Sequence, residues 1–260
     1  MMQEITQEEC KRIQLNILVN VAEFCDEHDI KYSLAYGTLI GAIRHKGFIP
    51  WDDDIDIIMM RDEYERFVSL YEDSHYKLVQ GKDMPNRLHV RVTDPDTCLL
   101  FSEERRKKFE KFGLWIDIFP IDKVMESKEG YNRLLKKIKF FVNLQTTGEL
   151  WRKGFLAHIA HILLMPFPSL FASLAKKEMM KYNNTSSSRV ASLAVWYLYS
   201  PSFPATYLDD FVEIDFEGYH FKSIKRYDDY LRGIYGDYMQ LPPENQRKHR
   251  HEYVAYWKGK

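Results

Sequence analysis

The stretch "PWDDDIDIIMM", residues 50–60, sets four carboxylates directly ahead of an apolar run. Asp52, Asp53, Asp54 and Asp56 repel one another, and at an intermediate effective dielectric each close contact costs on the order of a few kcal/mol. A solvated acidic turn accounts for Asp52 and Asp53. It suits the following pair less well. Side chains alternate faces along a strand, so "DIDII" puts Asp54 and Asp56 on one face and Ile55 and Ile57 on the other. Two acids on one face of a half-buried strand need water or a cation, and aspartate oxygens suit magnesium or manganese.

Upstream, "KYSLAY" (31–36) reads as a strand, "LIGAIR" as a short helix and "HKGFIP" as the loop leading into the acids. Gly37 removes a side chain where phosphate could approach the backbone. Thr38 suits an ordinary helix N-cap, and the same helix start suits an anion. Earlier still, Thr6 and Glu9 have the spacing of a capping box. The apolar positions Ile13, Ile17, Val21 and Phe24 then give one helical face, ending near His28–Asp29.

Downstream, a charged helix is expected over 61–72, with strands at 76–80, 87–92, 97–101 and 114–119. In "RLHVRV", Arg87, His89 and Arg91 share a face, either in a cleft or as a surface ladder. "WIDIF" sets Asp117 between isoleucines, where burial without a partner is expensive. Pairing with an arginine is one answer. Metal or general-base work beside the other acids is the one expected. The pattern turns helical from about 128, then gives a hairpin-like "FVEIDFEGYHFK" and a helix near 225–235. Strands and helices are mixed throughout, which makes this an α+β or α/β protein.

The 260 residues can bury a substantial core, and a formal net charge of -1 gives no global attraction to nucleic acid. Three widely spaced cysteines, Cys10, Cys25 and Cys98, argue against a disulfide framework and suit a reducing compartment. The polar, acidic start has no signal-peptide or transit-peptide pattern, so a cytoplasmic protein is expected. Residues 154–175 are apolar with basic flanks, but Pro166 and Pro168 divide them. Core is the first reading of that stretch; peripheral contact with an anionic membrane surface is the second.

Taken together, "YGTLIGAIRHKGFIPWDDDIDI", "WIDIFPID" (115–122) and the tail "YGDYMQLPPENQRKHRH" resemble the LicD family of phosphocholine transferases, which includes the fukutin-related proteins. The resemblance implies an α+β fold with a nucleotidyltransferase-like mixed sheet flanked by helices. It divides the chain into a catalytic core over 1–125 and a mainly helical region over 126–260. Gly37 and Thr38 then match the superfamily's turn, Asp54 and Asp56 its metal pair, and Asp117 its third acid. Implied with them are magnesium or manganese, CDP-choline or another CDP-alcohol as donor, and a glycan or lipid-linked oligosaccharide as acceptor. The tail departs from the pattern where Ser223-Ile224-Lys225 replaces a proline-containing turn.

Further substrate-binding candidates surround these positions. Arg44, His45 and Lys46 are either a basic helix cap or phosphate ligands. Trp51 is either a loop plug or a pocket wall, with a cage for a quaternary ammonium as one form of the latter. His89 and Arg91 face the cleft in the functional reading. Arg247 and His249 could close over a phosphate, whereas Lys248 and Arg250 read as solvated charges. Rival functions are transfer of phosphoethanolamine or a polyol phosphate, nucleotidyl transfer with pyrophosphate release, and non-catalytic binding of a glycan precursor.

Overall fold

A computed structural model describes residues 3–81, 84, 87–101, 113–145, 168–194, 201–247 and 253–259. The chain forms two compact units. One gathers residues 1–79, 91–119 and 207–260; the other gathers 80–90 and 120–206.

In the first unit, helix α1 (Gln7–Glu27) starts at the Thr6–Glu9 capping box, and His28 is its C-cap. Hydrogen bonds from Thr6 hold the exposed Glu9 carboxyl below its ordinary pKa. Ile13, Ile17 and Val21 are buried, as their spacing requires. The strands are β2 (Ser33–Leu34), β3 (Asp56–Met60), β4 (Lys77–Val79), β5 (Val90–Thr93) and β7 (Trp115–Lys123), of which Val90 and β7 from Pro120 onward are counted with the second unit. They lie in the order β2-β3-β7-β5-β4. β2 and β3 are antiparallel, with Ser33 opposite Ile58 and Leu34 opposite Ile57. A second antiparallel sheet sets β12 (Tyr253–Trp257) between β1 (Gln3–Glu4) and β6 (Thr97–Phe101).

Two helices frame the acidic strand: α2 (Tyr36–His45) precedes it and α3 (Arg61–Leu70) follows. The strand expected over 31–36 is reduced to two residues, and the helix starts three residues before "LIGAIR". Tyr36 explains both, because its φ of 48° turns the chain out of the extended path immediately after Ala35. α2 ends at Lys46, a left-handed C-cap whose N–H donates to the Gly41 carbonyl.

The expected hairpin is present as β10 (Phe211–Phe216) and β11 (Tyr219–Ile224). Its turn residues Glu217 and Gly218 have φ of 52° and 81°, the left-handed pair that a two-residue hairpin turn requires. Ser33 Oγ accepts from Ile224 N at 3.0 Å, fixing β11 beside β2. The Glu217 carboxylate accepts from Phe48 N at 2.9 Å, securing the loop after α2. A last helix of this unit lies just beyond, over Tyr227–Tyr235.

The second unit holds α4 (Lys128–Gln145) and α5 (Pro168–Met179), tied by Lys137 and Glu178 at 2.7 Å. The tyrosine-rich helix at 227–235 is therefore α6. The end of β7 pairs with β8 (Arg189–Ala191), which pairs with β9 (Phe203–Pro204). The described residues after 126 thus carry strands as well as helices. Most of the apolar stretch, residues 154–167, lies outside the described residues. Among those described, no helix is long and apolar enough to cross a membrane. Cys10, Cys25 and Cys98 are free and buried.

A methyl group on Gly41 would lie 2.4 Å from the Gly47 carbonyl oxygen, a backbone atom with little freedom to retreat. Gly41→Ala is therefore expected to cost about 1–3 kcal/mol of stability in urea denaturation, and undiminished stability would show that the α2 loop can move aside.

Candidate active site

The approach to the acidic strand is clamped by its backbone. Thr38 Oγ1 accepts the Asp56 N–H at 2.9 Å, and the Asp56 carbonyl accepts the Ala35 N–H at 3.0 Å. Thr38 is not an N-cap, since Ala35 holds that position without a side-chain bond. Its buried hydroxyl instead joins the first turn of α2 to β3. Between them, Tyr36 keeps its positive φ against the rings of Phe119 at 5.7 Å and Tyr230 at 6.4 Å. Backbone strain of this kind, on the order of 1–3 kcal/mol, persists where packing imposes it and gathers at functional sites.

Gly37 lies beneath a carboxylate. A Cβ there would stand 2.3 Å from Asp52 Oδ2, so the missing side chain makes room for an anionic oxygen at the start of α2. Asp52, Asp53 and Asp54 each offer a carboxylate oxygen within 4.8 Å of the others. Asp53 is buried, which replaces the solvated turn expected for it. β3 begins only at Asp56, so Asp54 belongs to the extended lead-in rather than to the strand.

Residues that the local pattern gave no reason to select support this loop from a distance. Gln14 on α1 is fully buried and donates from Nε2 to the carbonyls of Asp53 at 2.9 Å and Trp115 at 3.2 Å. Lys11, one helical turn earlier, donates to the carbonyls of Ile49 and Pro50. Burial lowers its pKa, against the opposing pull of Asp52, Glu217 and Asp53. Tyr253 on β12 approaches the Asp53 carbonyl at 3.4 Å. Burial first, then the Asp53 charge, drives that phenol well above its ordinary pKa. Only the apolar spacing of α1 hinted at Gln14, as a polar residue on a buried face.

Asp117 is buried on β7 and bound by an arginine. Arg91 Nε meets Oδ1 at 2.7 Å, Arg91 Nη2 meets Oδ2 at 3.3 Å, and Trp115 Nε1 donates to Oδ2 at 2.8 Å. The Arg91 guanidinium also lies 3.9 Å from the centre of the Trp115 indole. Arg91 therefore faces inward, and the surface-ladder reading fails for it. The Asp117 N–H donates to the Ile55 carbonyl at 2.8 Å, so β7 registers directly against the lead-in to β3. His89 is buried and falls in the other unit.

At the far end of α2, Arg44 Nε donates to His45 Nε2 at 3.0 Å, and the edges of His45 and Trp51 meet at 6.4 Å between centroids. The Arg247 guanidinium sits 5.5 Å from the centre of the Trp51 ring. Lys46 is exposed. His249 lies outside the described residues, as do Lys248 and Arg250. A separate group, His75, Asp94 and Asp96, also gathers ligand atoms within 4.8 Å. There Asp94 Oδ1 accepts the Asp96 N–H at 2.8 Å, as a tight turn requires.

A helix start with room for an anion beside convergent carboxylates, in a mixed α+β unit, is an arrangement whose chemistry suits phosphate and hard cations. The family description "LicD/FKTN/FKRP, nucleotidyltransferase domain" matches residues 29–141, which contain the whole of this site apart from its α1 and C-terminal supports. The lipopolysaccharide cholinephosphotransferase LicD of Haemophilus influenzae is 32% identical over 98% of this chain and 99% of its own length. An uncharacterised protein of Rickettsia typhi is 32% identical over 48% of this chain and 38% of its own. The chain belongs to the LicD family and is a LicD-like phosphotransferase.

Two outcomes follow for the residues around the site. Arg91→Ala removes the cation paired with Asp117, where both side chains are 6% exposed. The expected loss in urea denaturation is about 3–5 kcal/mol, most of it recovered when both partners become apolar. Burial, then the Arg44 charge, holds His45 below its ordinary pKa of 6.5. The unfolded chain therefore takes up a proton before the folded chain does, and stability falls as the pH drops through and below 6.5. His45→Asn should flatten that part of the pH–stability curve, measured as the difference from the parent between pH 7.5 and 5.

Proposed function

We propose that the protein transfers phosphocholine from CDP-choline to a sugar hydroxyl of a lipopolysaccharide-type glycan or its lipid-linked precursor. The observation that carries this reading is the likeness to the Haemophilus influenzae enzyme along essentially the whole of both chains. The geometry is compatible with such chemistry. Thr38 Oγ1 accepts from Asp56 and still has its own proton to give, so it can donate to a donor phosphate while holding the strand. The space above Gly37 already accommodates a carboxylate oxygen. A phosphate oxygen would take that place once Asp52 turned aside.

A divalent ion fits the donor set, because oxygens of Asp52, Asp53 and Asp54 converge and hard cations favour carboxylates. The family pattern assigns magnesium or manganese to Asp54 and Asp56, of which Asp54 belongs to the convergent set with Asp52 and Asp53. A bound ion would supply charge neutralisation at the diphosphate. Asp117, the third acid of the family pattern, acts through its pairing. Arg91 and Trp115 engage both of its oxygens, so a hydroxyl or an ion reaches them only once that pair opens. It orients the β3–β7 edge and is available to the ion or the acceptor hydroxyl after such opening.

Trp51 argues against a choline cage at its own ring, since Arg247 already lies over that ring and would repel a second cation. The identity of the alcohol therefore needs a panel. The purified protein is expected to release CMP from CDP-choline in the presence of magnesium or manganese and a glycan-precursor extract. CDP-ethanolamine and CDP-polyols would run alongside. Asp54→Ala and Asp56→Ala should each lower the rate by two or more orders of magnitude, on the order of what losing one charge-stabilising group costs. Pyrophosphate among the products, or no turnover with any donor, would displace this reading in favour of nucleotidyl transfer or glycan binding.

A further inference from the structure

Arg44 and Arg247 are anchored by backbone carbonyls, as Arg189 is, with no carboxylate beside them among the described residues. Arg61, Arg66, Arg91, Arg226 and Arg232 each pair with a carboxylate. Among the described residues, Arg44 instead donates from Nη1 to the carbonyls of Tyr238 at 2.5 Å and Gln240 at 3.5 Å, and Arg247 donates from Nε to Pro242 at 2.8 Å. Carbonyls fix a guanidinium in place without neutralising it. Both arginines are partly buried, and burial together with the Arg247 charge lowers the Arg44 pKa. Two like charges gathered in a half-desolvated place are costly unless an anion compensates them.

Both guanidinium groups keep donors for one. Arg44 Nε is spent on His45, and Nη1 on the carbonyls, which leaves Nη2. Among the described residues Arg247 spends Nε alone, leaving both terminal nitrogens, and its guanidinium lies 5.5 Å from the centre of the Trp51 ring. His45 accepts at Nε2, is held neutral at pH 7, and so adds no third positive charge. Planar guanidinium forks match phosphate geometry and are the favoured side chains for binding it. Arg44 also stands seven residues along α2 from Gly37, about 10 Å at the rise of an α-helix. It therefore reaches a different group from the one above Gly37.

We propose that Arg44 and Arg247, braced by Trp51, form a phosphate-binding subsite distinct from the space above Gly37. Assigning that phosphate to a substrate rests on the transferase reading; the binding itself does not. The ligand is a phosphate ester, either on the CDP-alcohol or on a phosphorylated sugar of the acceptor.

Calorimetric titration of the full chain in EDTA at low salt tests it, with inorganic phosphate as the first probe. Phosphate is expected to bind the parent and to lose at least tenfold in affinity in Arg44→Gln and in Arg247→Gln. Lys181→Gln, an exposed lysine of the other unit, should bind as the parent does. CDP-choline and glucose 1-phosphate, titrated separately, distinguish the two sources: whichever loses affinity in the glutamine variants is the occupant, and a loss for both also supports the subsite. Should a glutamine variant fail to fold by circular dichroism, Arg44→Lys and Arg247→Lys replace it, with a smaller but measurable loss expected. No phosphate binding by the parent, or parent-like binding of all three probes by the folded variants, would overturn the proposal. These results are independent of CMP release, so a failed transferase assay would leave them standing.

Discussion

Everything at this site depends on the Thr38 hydroxyl accepting the Asp56 N–H. A strand edge entering from an acidic loop has every electrostatic reason to splay, because its side chains repel. Backbone bonds resist that without neutralising any of the charges. With Ala35 donating to the Asp56 carbonyl, one residue of β3 is held through both its amide and its carbonyl by the start of α2. The Gly-Thr turn and the acids consequently move as one body. Tyr36 shows the cost, since a bulky residue tolerates a φ of 48° only where its ring is confined as this one is.

The opposite side of the acidic loop is governed by burial. Asp117, Arg91 and Trp115 form a closed group in which ion pair, indole N–H bond and stacked guanidinium satisfy one another. Such a group contributes little net stability compared with apolar packing, yet it is very sensitive to the loss of one member. Its use is geometric. It fixes β7 in register where the Asp117 N–H meets the Ile55 carbonyl. Gln14 then reaches across to the carbonyls of Asp53 and Trp115, so the helix, loop and strand share one buried amide.

Much of this was legible in the sequence because periodicity reports local structure well. The capping box of α1, the hairpin at 211–224, the helix at 227–235 and the strand around Asp117 all follow from short-range spacing and turn chemistry. Errors arose where a tertiary contact decides the outcome. Alternation assigned Asp54 to a strand that starts at Asp56, and it treated Asp53 as solvated although α1 and β12 cover it. Thr38 looked like a cap because local spacing cannot reveal that its partner lies 18 residues downstream. The Asp117–Arg91 pair stood only as the second choice, since composition shows that arginines exist but not which strand carries one alongside.

The three-stranded sheet has a consequence for how the molecule is made. β1 pairs with β12, joining residues 3–4 to residues 256–257, and β12 also brings Tyr253 to the Asp53 carbonyl. Pairings across so many residues are slow to form, because the loop must close before any contact repays it. During synthesis on the ribosome, α1 emerges long before the strand that completes its neighbourhood. The Asp53 carbonyl therefore meets its Tyr253 partner only after β12 has been made. Mutual repulsion among Asp52, Asp53, Asp54 and Asp56 disfavours pairing of that edge with a strand of another chain in the meantime.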